Sequence, residues 1–189
     1  AAIIGTNVPS QSLTAERIAT LPAADRSAWQ KYLANSIAQS KHDRTAFHQE
    51  IRKLATNAPA LPPATRGTRG MELNRSPEWY ASAAAQELAD NIVSFQTPSG
   101  GWSKNLDMTQ HRRAVGEMYA QGNLNQYSSA TDLDLPHDPN WNYVGTFDNG
   151  ATITQLRFLA KVIPAAPKAR SKAYREAFLH GLNYIFASQ

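Results

Sequence analysis

Apolar residues recur at spacings of three and four along most of this 189-residue chain, and that periodicity limits the fold to one built mainly from helices. The spacing predicts helices over residues 12–21, 23–54, 76–95, 151–163 and 171–189, with a possible break at 39–44. Proline or glycine stands near most of these boundaries, as is typical where helices end. Outside them, only residues 141–147 resemble a strand. The sequence therefore predicts a mainly α fold.

Composition and charge exclude several classes of site and partner. The chain has no cysteine, which excludes a disulfide framework, a cysteine-ligated zinc site and thiol catalysis. Its apolar runs are far shorter than the roughly 20 residues that a membrane-spanning helix needs, so we expect no membrane partner. The net charge of +4 favours a polyanion. The basic residues are scattered and form no nucleic-acid motif, so we expect an acidic polysaccharide and no nucleic acid.

The chain begins with two small residues, Ala1 and Ala2, of the kind that signal peptidase leaves behind. A start trimmed in another way would look the same. We expect a secreted or periplasmic protein.

Residues 96–105 contain a turn that presents three chemically useful side chains together. The segment reads Gln-Thr-Pro-Ser-Gly-Gly-Trp and continues Ser-Lys-Asn. A helical run ends at Gln96, and the proline and glycines then force a turn whose exit carries Trp102, Lys104 and Asn105. A cationic amine beside an aromatic ring and an amide could form the wall of a pocket for an anionic, sugar-like ligand.

A second candidate site is the segment Thr-Phe-Asp-Asn-Gly-Ala-Thr at residues 146–152. Two interpretations stay open for Asp148. It could cap the N-terminus of the following helix, or its carboxylate could be available to a hard cation such as Ca²⁺. Other candidates are weaker: Asp132, Asp134 and Asp138 are typical of turns, the histidines are not paired as metal ligands, and Arg112 and Arg113 are expected to be solvated.

The last predicted helix resembles the one that precedes the turn. Gln189 lies 93 residues after Gln96, and both follow a helix with a similar apolar stripe. Such similarity is typical of repeated helix pairs, which must stack to bury their apolar faces. On this interpretation the chain ends within a larger architecture, and a further C-terminal segment is expected to complete it.

Two motifs give the chain a family resemblance. Ser-Gly-Gly-Trp-Ser-Lys-Asn at 99–105 and Phe-Asp-Asn-Gly-Ala-Thr-Ile-Thr-Gln-Leu-Arg-Phe-Leu-Ala-Lys-Val at 147–162 resemble the polysaccharide lyase family 10 pectate lyases. The resemblance covers roughly residues 75–189, with Ser103 where the family usually has proline. It implies an (α/α)3 toroid, of which residues 71–189 would be the first part, preceded by a helical extension and linker at 1–70.

The resemblance also implies an activity and a set of site residues. The activity is Ca²⁺-dependent β-elimination of polygalacturonate, which gives 4,5-unsaturated oligogalacturonides. Asp148 would be a calcium ligand and, with Asn149, part of the substrate site. Lys104 and Asn105 would bind uronate and Trp102 would pack at the cleft wall. The catalytic arginine is expected beyond residue 189, so the catalytic residues within the chain stay unknown and the chain alone should be inactive.

Two other interpretations stay open. Gln96, Gly100 and Trp102 have the spacing of the QW repeat of terpene cyclases, where glutamine and tryptophan link helix ends. The chain would then be a fragment of an α/α toroid of that kind, and Trp102 would be purely structural. Alternatively, the chain is a non-catalytic helical module that binds an acidic glycan or a protein.

Overall fold

The structure, a computed structural model, describes residues 13–54, 60–67, 71–120 and 145–188. Its helices are α1 (Ala15–Ala19), α2 (Ala23–Leu54), α3 (Pro77–Tyr80), α4 (Ala83–Ser94), α5 (Ile153–Val162) and α6 (Lys168–Ala187), with one 3₁₀ turn at Asp148–Gly150. Within the described ranges there is no strand, and residues 64 and 106 form an isolated antiparallel bridge. The prediction of a mainly α fold is confirmed, and the toroid stays a prediction. None of the described helices is long and apolar enough to cross a membrane.

Several boundaries differ from those that the periodicity predicts. The single helix expected over residues 76–95 is divided, because Ser82 has an extended backbone and its Oγ accepts a hydrogen bond from the Ala85 amide at 3.3 Å. This serine caps a new helix, as hydroxyl side chains commonly do. The break expected at 39–44 is wrong, since α2 is continuous there.

The strand expected at 141–147 is also not confirmed. Residues 145–147 have no regular structure, and 141–144 lie outside the described residues. Helix α6 begins at Lys168, directly after Pro167, which is three residues earlier than the sequence predicts. Proline suits the start of a helix because it lacks the amide hydrogen that the first turn leaves unpaired.

Helices α4, α5 and α6 contact one another and enclose the main core. The largest fully buried side chains of this core are Trp102, Tyr174, Phe95 and Phe158. Helix α3 closes one end, where the rings of Trp79 and Tyr80 meet Phe158 edge-on at centroid distances of 6.2 and 6.0 Å. Helices α4, α5 and α6 position the turn at residues 96–102, which directly follows the C-terminal end of α4.

Helix α2 is attached to the segment that follows the turn. Arg113 and Glu50 form an ion pair with Nη2 and Oε2 2.5 Å apart, and the guanidinium lies 3.7 Å from the centre of the Tyr119 ring. Only 6% of the Arg113 side chain is exposed, so the expectation that it is solvated is wrong. The Phe47 ring packs against Tyr119 in the same contact. Contacts therefore cross the proposed boundary at residue 70, which itself stays a prediction.

A buried carboxylate links α2 to the turn. Asp43 is 4% exposed, and its Oδ1 accepts a hydrogen bond from the Ser99 amide at 2.6 Å. Burial raises the pKa of Asp43 from 3.8 to about 6, because an apolar environment disfavours the charged form. The folded protein therefore binds the Asp43 proton more tightly than the unfolded chain does.

Replacing Asp43 by asparagine should flatten the dependence of stability on pH. Between pH 4 and 6 Asp43 is protonated more often in the folded state than in the unfolded state, so the contribution of this group to the free energy of unfolding falls as pH rises through that window. At about 1.4 kcal/mol for each pKa unit, Asp43 lowers the free energy of unfolding by about 3 kcal/mol between pH 4 and pH 7. Asp43→Asn should remove most of it and be more stable than the native protein at pH 7. Urea denaturation at pH 4, 5, 6 and 7 measures this.

Asp25→Asn provides the control, since Asp25 lies in the exposed first turn of the same helix. It should keep the native pH dependence. If Asp43→Asn and the native protein lose the same stability between pH 4 and 6, Asp43 is not the group responsible.

Candidate functional site

The turn at residues 96–102 ties the end of α4 to α6. The Gln96 side-chain nitrogen donates hydrogen bonds to the carbonyl oxygens of Gly100 and Ala177, both at 2.8 Å. Gly100 has φ +103°, and a Cβ there would lie 2.5 Å from the His180 carbonyl oxygen. Only glycine combines this backbone conformation with such a close approach. The two helices are therefore held together at the point where the chain turns towards the site.

Trp102 is a structural residue at the centre of this turn. Its indole has no exposed surface, and Nε1 donates a hydrogen bond to the Ile92 carbonyl oxygen at 2.8 Å. A Cβ on Gly181 would lie 2.8 Å from the indole ring, so α6 packs directly against it. The expectation that Trp102 lines the cleft and contacts substrate is wrong in this structure. The buried indole agrees with a purely structural role for Trp102, and the terpene-cyclase interpretation itself stays untested.

The backbone of Trp102 brings the second segment next to the first. Its amide donates to Thr152 Oγ1 at 3.0 Å, and its carbonyl oxygen accepts a hydrogen bond from the Thr146 amide at 3.1 Å. Thr152 is fully buried with φ +63°, a conformation that is rare and unfavourable for a β-branched residue. The surrounding bonds hold it there. The segment 146–152 therefore runs alongside the exit of the turn.

Lys104 and Asp148 form an ion pair where the two segments meet. Nζ and Oδ2 are 2.6 Å apart, with 25% of the lysine and 55% of the aspartate side chain exposed. The hydrogen bond from Lys104 holds the pKa of Asp148 below its usual value. The Asp148 carboxylate thus bonds to Lys104 and does not cap α5, whose N-cap residue is Thr152.

Two asparagines lie beside the ion pair. Asn105 and Asn149 have φ values of +58° and +53°, in the left-handed region that asparagine tolerates better than most residues. Asn149 Nδ2 donates to Asn105 Oδ1 at 3.2 Å, and the Gly67 amide donates to the same oxygen at 3.0 Å. The structure therefore brings together four predicted site residues, Lys104, Asn105, Asp148 and Asn149, and places Trp102 in the core behind them.

This site and the turn that positions it lie in one part of the sequence. Residues 96–189 match the Pectic acid lyase family. The match starts at Gln96 and contains all four converging residues. None of the curated proteins compared with the chain matches it significantly. Helix α2 and residues 60–67 precede the region that matches this family but contact it through Glu50 and Gly67.

The described residues of the region that matches the Pectic acid lyase family do not by themselves fit a calcium ion. Calcium takes six to eight oxygen ligands, several of them usually carboxylates. Within the described ranges, no group of three or more histidine, aspartate or glutamate side chains could hold a metal. At the site the Asp148 carboxylate already bonds to an ammonium group. Asp132, Asp134 and Asp138 lie outside the described residues.

Sequence reasoning missed the contribution of residues 60–67 to this site. The Thr65 amide donates to the Asn105 carbonyl oxygen at 2.9 Å, and the Asp107 amide donates to the Pro63 carbonyl oxygen at 3.0 Å. These bonds hold the backbone on either side of Asn105 and Asp107 against residues 60–67. A proline-rich stretch has no apolar periodicity, so its pattern did not indicate that it packs against the region that matches the Pectic acid lyase family.

Proposed function

We propose that this chain is part of a polysaccharide lyase family 10 pectate lyase, secreted or periplasmic, that binds polygalacturonate and cleaves it by β-elimination. The observation that carries the proposal is the Lys104–Asp148 pair, which lies beside two hydrogen-bonded asparagines inside the region that matches the Pectic acid lyase family. That family implies an acidic polysaccharide as substrate. A segment after residue 189 that completes an (α/α)3 toroid is part of the same proposal.

The site offers groups that suit a uronate. The Lys104 ammonium is a quarter exposed and can exchange Asp148 for a substrate carboxylate. The side-chain amides of Asn105 and Asn149 can bind sugar hydroxyls. Neutralising the carboxylate at C6 makes the C5 proton more acidic. A base then removes that proton, and the electrons of the C5–H bond form the C4–C5 double bond. The glycosidic C4–O bond breaks with its electrons on the oxygen, which takes up a proton from water and leaves as a hydroxyl group. We assign no base within the described residues.

We also propose that the binding and cleavage of polygalacturonate depend on Ca²⁺. The Asp148 carboxylate and the Asn149 amide oxygen could supply part of a coordination shell, and substrate carboxylates could supply more. Bound Ca²⁺ would contribute positive charge next to the uronate. The described residues alone do not fit the ion.

The test is binding and cleavage of polygalacturonate, with Ca²⁺ and with a chelator. Calorimetry should show that polygalacturonate binds and that Ca²⁺ strengthens the binding. Fully methyl-esterified polymer should not bind, since esterification removes the carboxylate charge. Equal binding of both polymers, or none in the presence of Ca²⁺, would contradict the proposal. Ultraviolet absorbance detects the unsaturated product. Its release by the chain, or by the chain extended past residue 189, identifies a lyase. Binding without product from either identifies a non-catalytic module.

A further inference from the structure

A cavity of about 270 Å³ lies beside the Lys104–Asp148 site and takes its walls from three parts of the chain. Helix α2 contributes Tyr32, Ser36 and Gln39, residues 145–147 form a second wall, and the C-terminal end of α6 contributes Tyr184. The volume is close to the lower end of the range for small-molecule sites, roughly 300–1,000 Å³. It suits one sugar unit and is small for a segment of another protein.

The cavity and the site share one segment of backbone. Thr146 and Phe147 line the cavity and directly precede Asp148. The Asp148 amide donates to Thr146 Oγ1 at 3.1 Å, so the backbone of Asp148 is bonded to a residue of the cavity wall. The cavity and the Lys104–Asp148 site are therefore direct neighbours along the chain.

The lining combines exposed aromatic rings with uncharged polar groups. Tyr32 is 39% exposed and Phe147 is 44% exposed. The Phe147 ring lies 5.8 Å from that of Tyr184, whose hydroxyl donates to the Gly145 carbonyl oxygen at 2.5 Å. Among the described residues that line the cavity, none has a charged side chain. Sugar rings have apolar C–H faces and hydroxyl edges, which match aromatic faces and hydroxyl or amide groups respectively.

We propose that this cavity is a second subsite for the same polysaccharide, which binds a neighbouring pyranose unit through its ring and hydroxyls and does not depend on a free carboxylate. The proposal rests on the proposed function, because the neighbouring site must hold galacturonate. It assigns a role to α2, which lies outside the region that matches the Pectic acid lyase family. The subsite would accept a methyl-esterified unit that the Lys104 site rejects.

The test is Tyr32→Ala, with affinity measured by calorimetry for galacturonate and for its oligomers from the dimer upwards. The native protein should bind the dimer and longer oligomers more tightly than the monomer, which occupies the Lys104 site alone. Tyr32→Ala should weaken binding of the dimer and longer oligomers about three- to tenfold and leave the monomer unchanged, as expected for the loss of one ring contact. Tyr32→Phe keeps the ring and should bind like the native protein. Methyl esters confined to the terminal unit of a longer oligomer should change its affinity less than twofold.

Ile37→Ala is the matched control, since Ile37 lies on the same helix, is also 39% exposed and does not line this cavity. It should bind all oligomers as the native protein does. If Tyr32→Ala binds long oligomers normally, or if Ile37→Ala weakens them equally, the subsite is refuted and the proposed function stands. If the native protein binds no oligogalacturonate of any length, both proposals fail.

Discussion

Trp102→Ala should lower the free energy of unfolding by about 4 kcal/mol, the usual range for removing a large buried aromatic side chain. The indole is fully buried between α4, α5 and α6, and its Nε1 bond to the Ile92 carbonyl oxygen would be lost. Alanine would leave a cavity next to Gly181, where α6 approaches most closely. Urea denaturation followed by far-ultraviolet circular dichroism measures the change, because most of the described structure is helical.

Two variants separate the contributions of the indole. Trp102→Phe keeps much of the apolar contact but loses the indole hydrogen bond to the Ile92 carbonyl oxygen, which still accepts from the Phe95 amide at 3.2 Å. The lost bond and the smaller ring should lower the free energy of unfolding by about 1–3 kcal/mol. Trp29→Ala removes a tryptophan that is 44% exposed and should change stability by less than about 1 kcal/mol. A Trp102→Ala protein within about 1 kcal/mol of the native one would contradict the buried position of the ring.

Lys104→Gln should weaken the binding of polygalacturonate about ten- to hundredfold, with or without Ca²⁺. A hydrogen bond between charged groups contributes about 1.5–3 kcal/mol, and the variant also leaves the Asp148 carboxylate without its cation. The remaining negative charge would repel the uronate. Calorimetry at fixed ionic strength measures the affinity, since electrostatic binding weakens as salt increases.

Lys172→Gln and Asp148→Asn make this result specific. Lys172 is 81% exposed on α6, so its replacement changes the net charge equally but should alter affinity less than twofold. Asp148→Asn frees Lys104 from its partner. In chelator it should bind polygalacturonate at least as tightly as the native protein does, and it should lose any strengthening by Ca²⁺. Equal losses in Lys104→Gln and Lys172→Gln would show that net charge, and not this site, determines affinity.

The sequence predicted the helices and the convergence of the site, for different reasons. Helices follow from apolar spacing, which runs through α5 and through α2 on both sides of the polar stretch at 39–44. The meeting of Lys104 with Asp148, 44 positions apart, does not follow from periodicity. It was expected because the two motifs resemble one family.

Other features depend on tertiary contacts that the sequence does not encode locally. The local sequence of a tryptophan after a glycine turn does not show whether the ring faces a ligand or the core. Trp102 is buried because α6 packs against its ring at Gly181. Arg113 likewise looked solvated, because its partner Glu50 lies 63 positions earlier in α2. The helix start at Ser82 is indicated by a local cap, but it was missed because the apolar spacing continues across it.

The attachment of α2 determines how the protein could be shortened. The family match begins at residue 96, and residue 71 is a natural place to cut by composition. A chain that started there would lose Glu50 and Phe47, which cover Arg113 and Tyr119. It would expose an apolar surface and leave a guanidinium without its carboxylate, two features that favour aggregation over folding. The smallest unit worth producing therefore starts before α2.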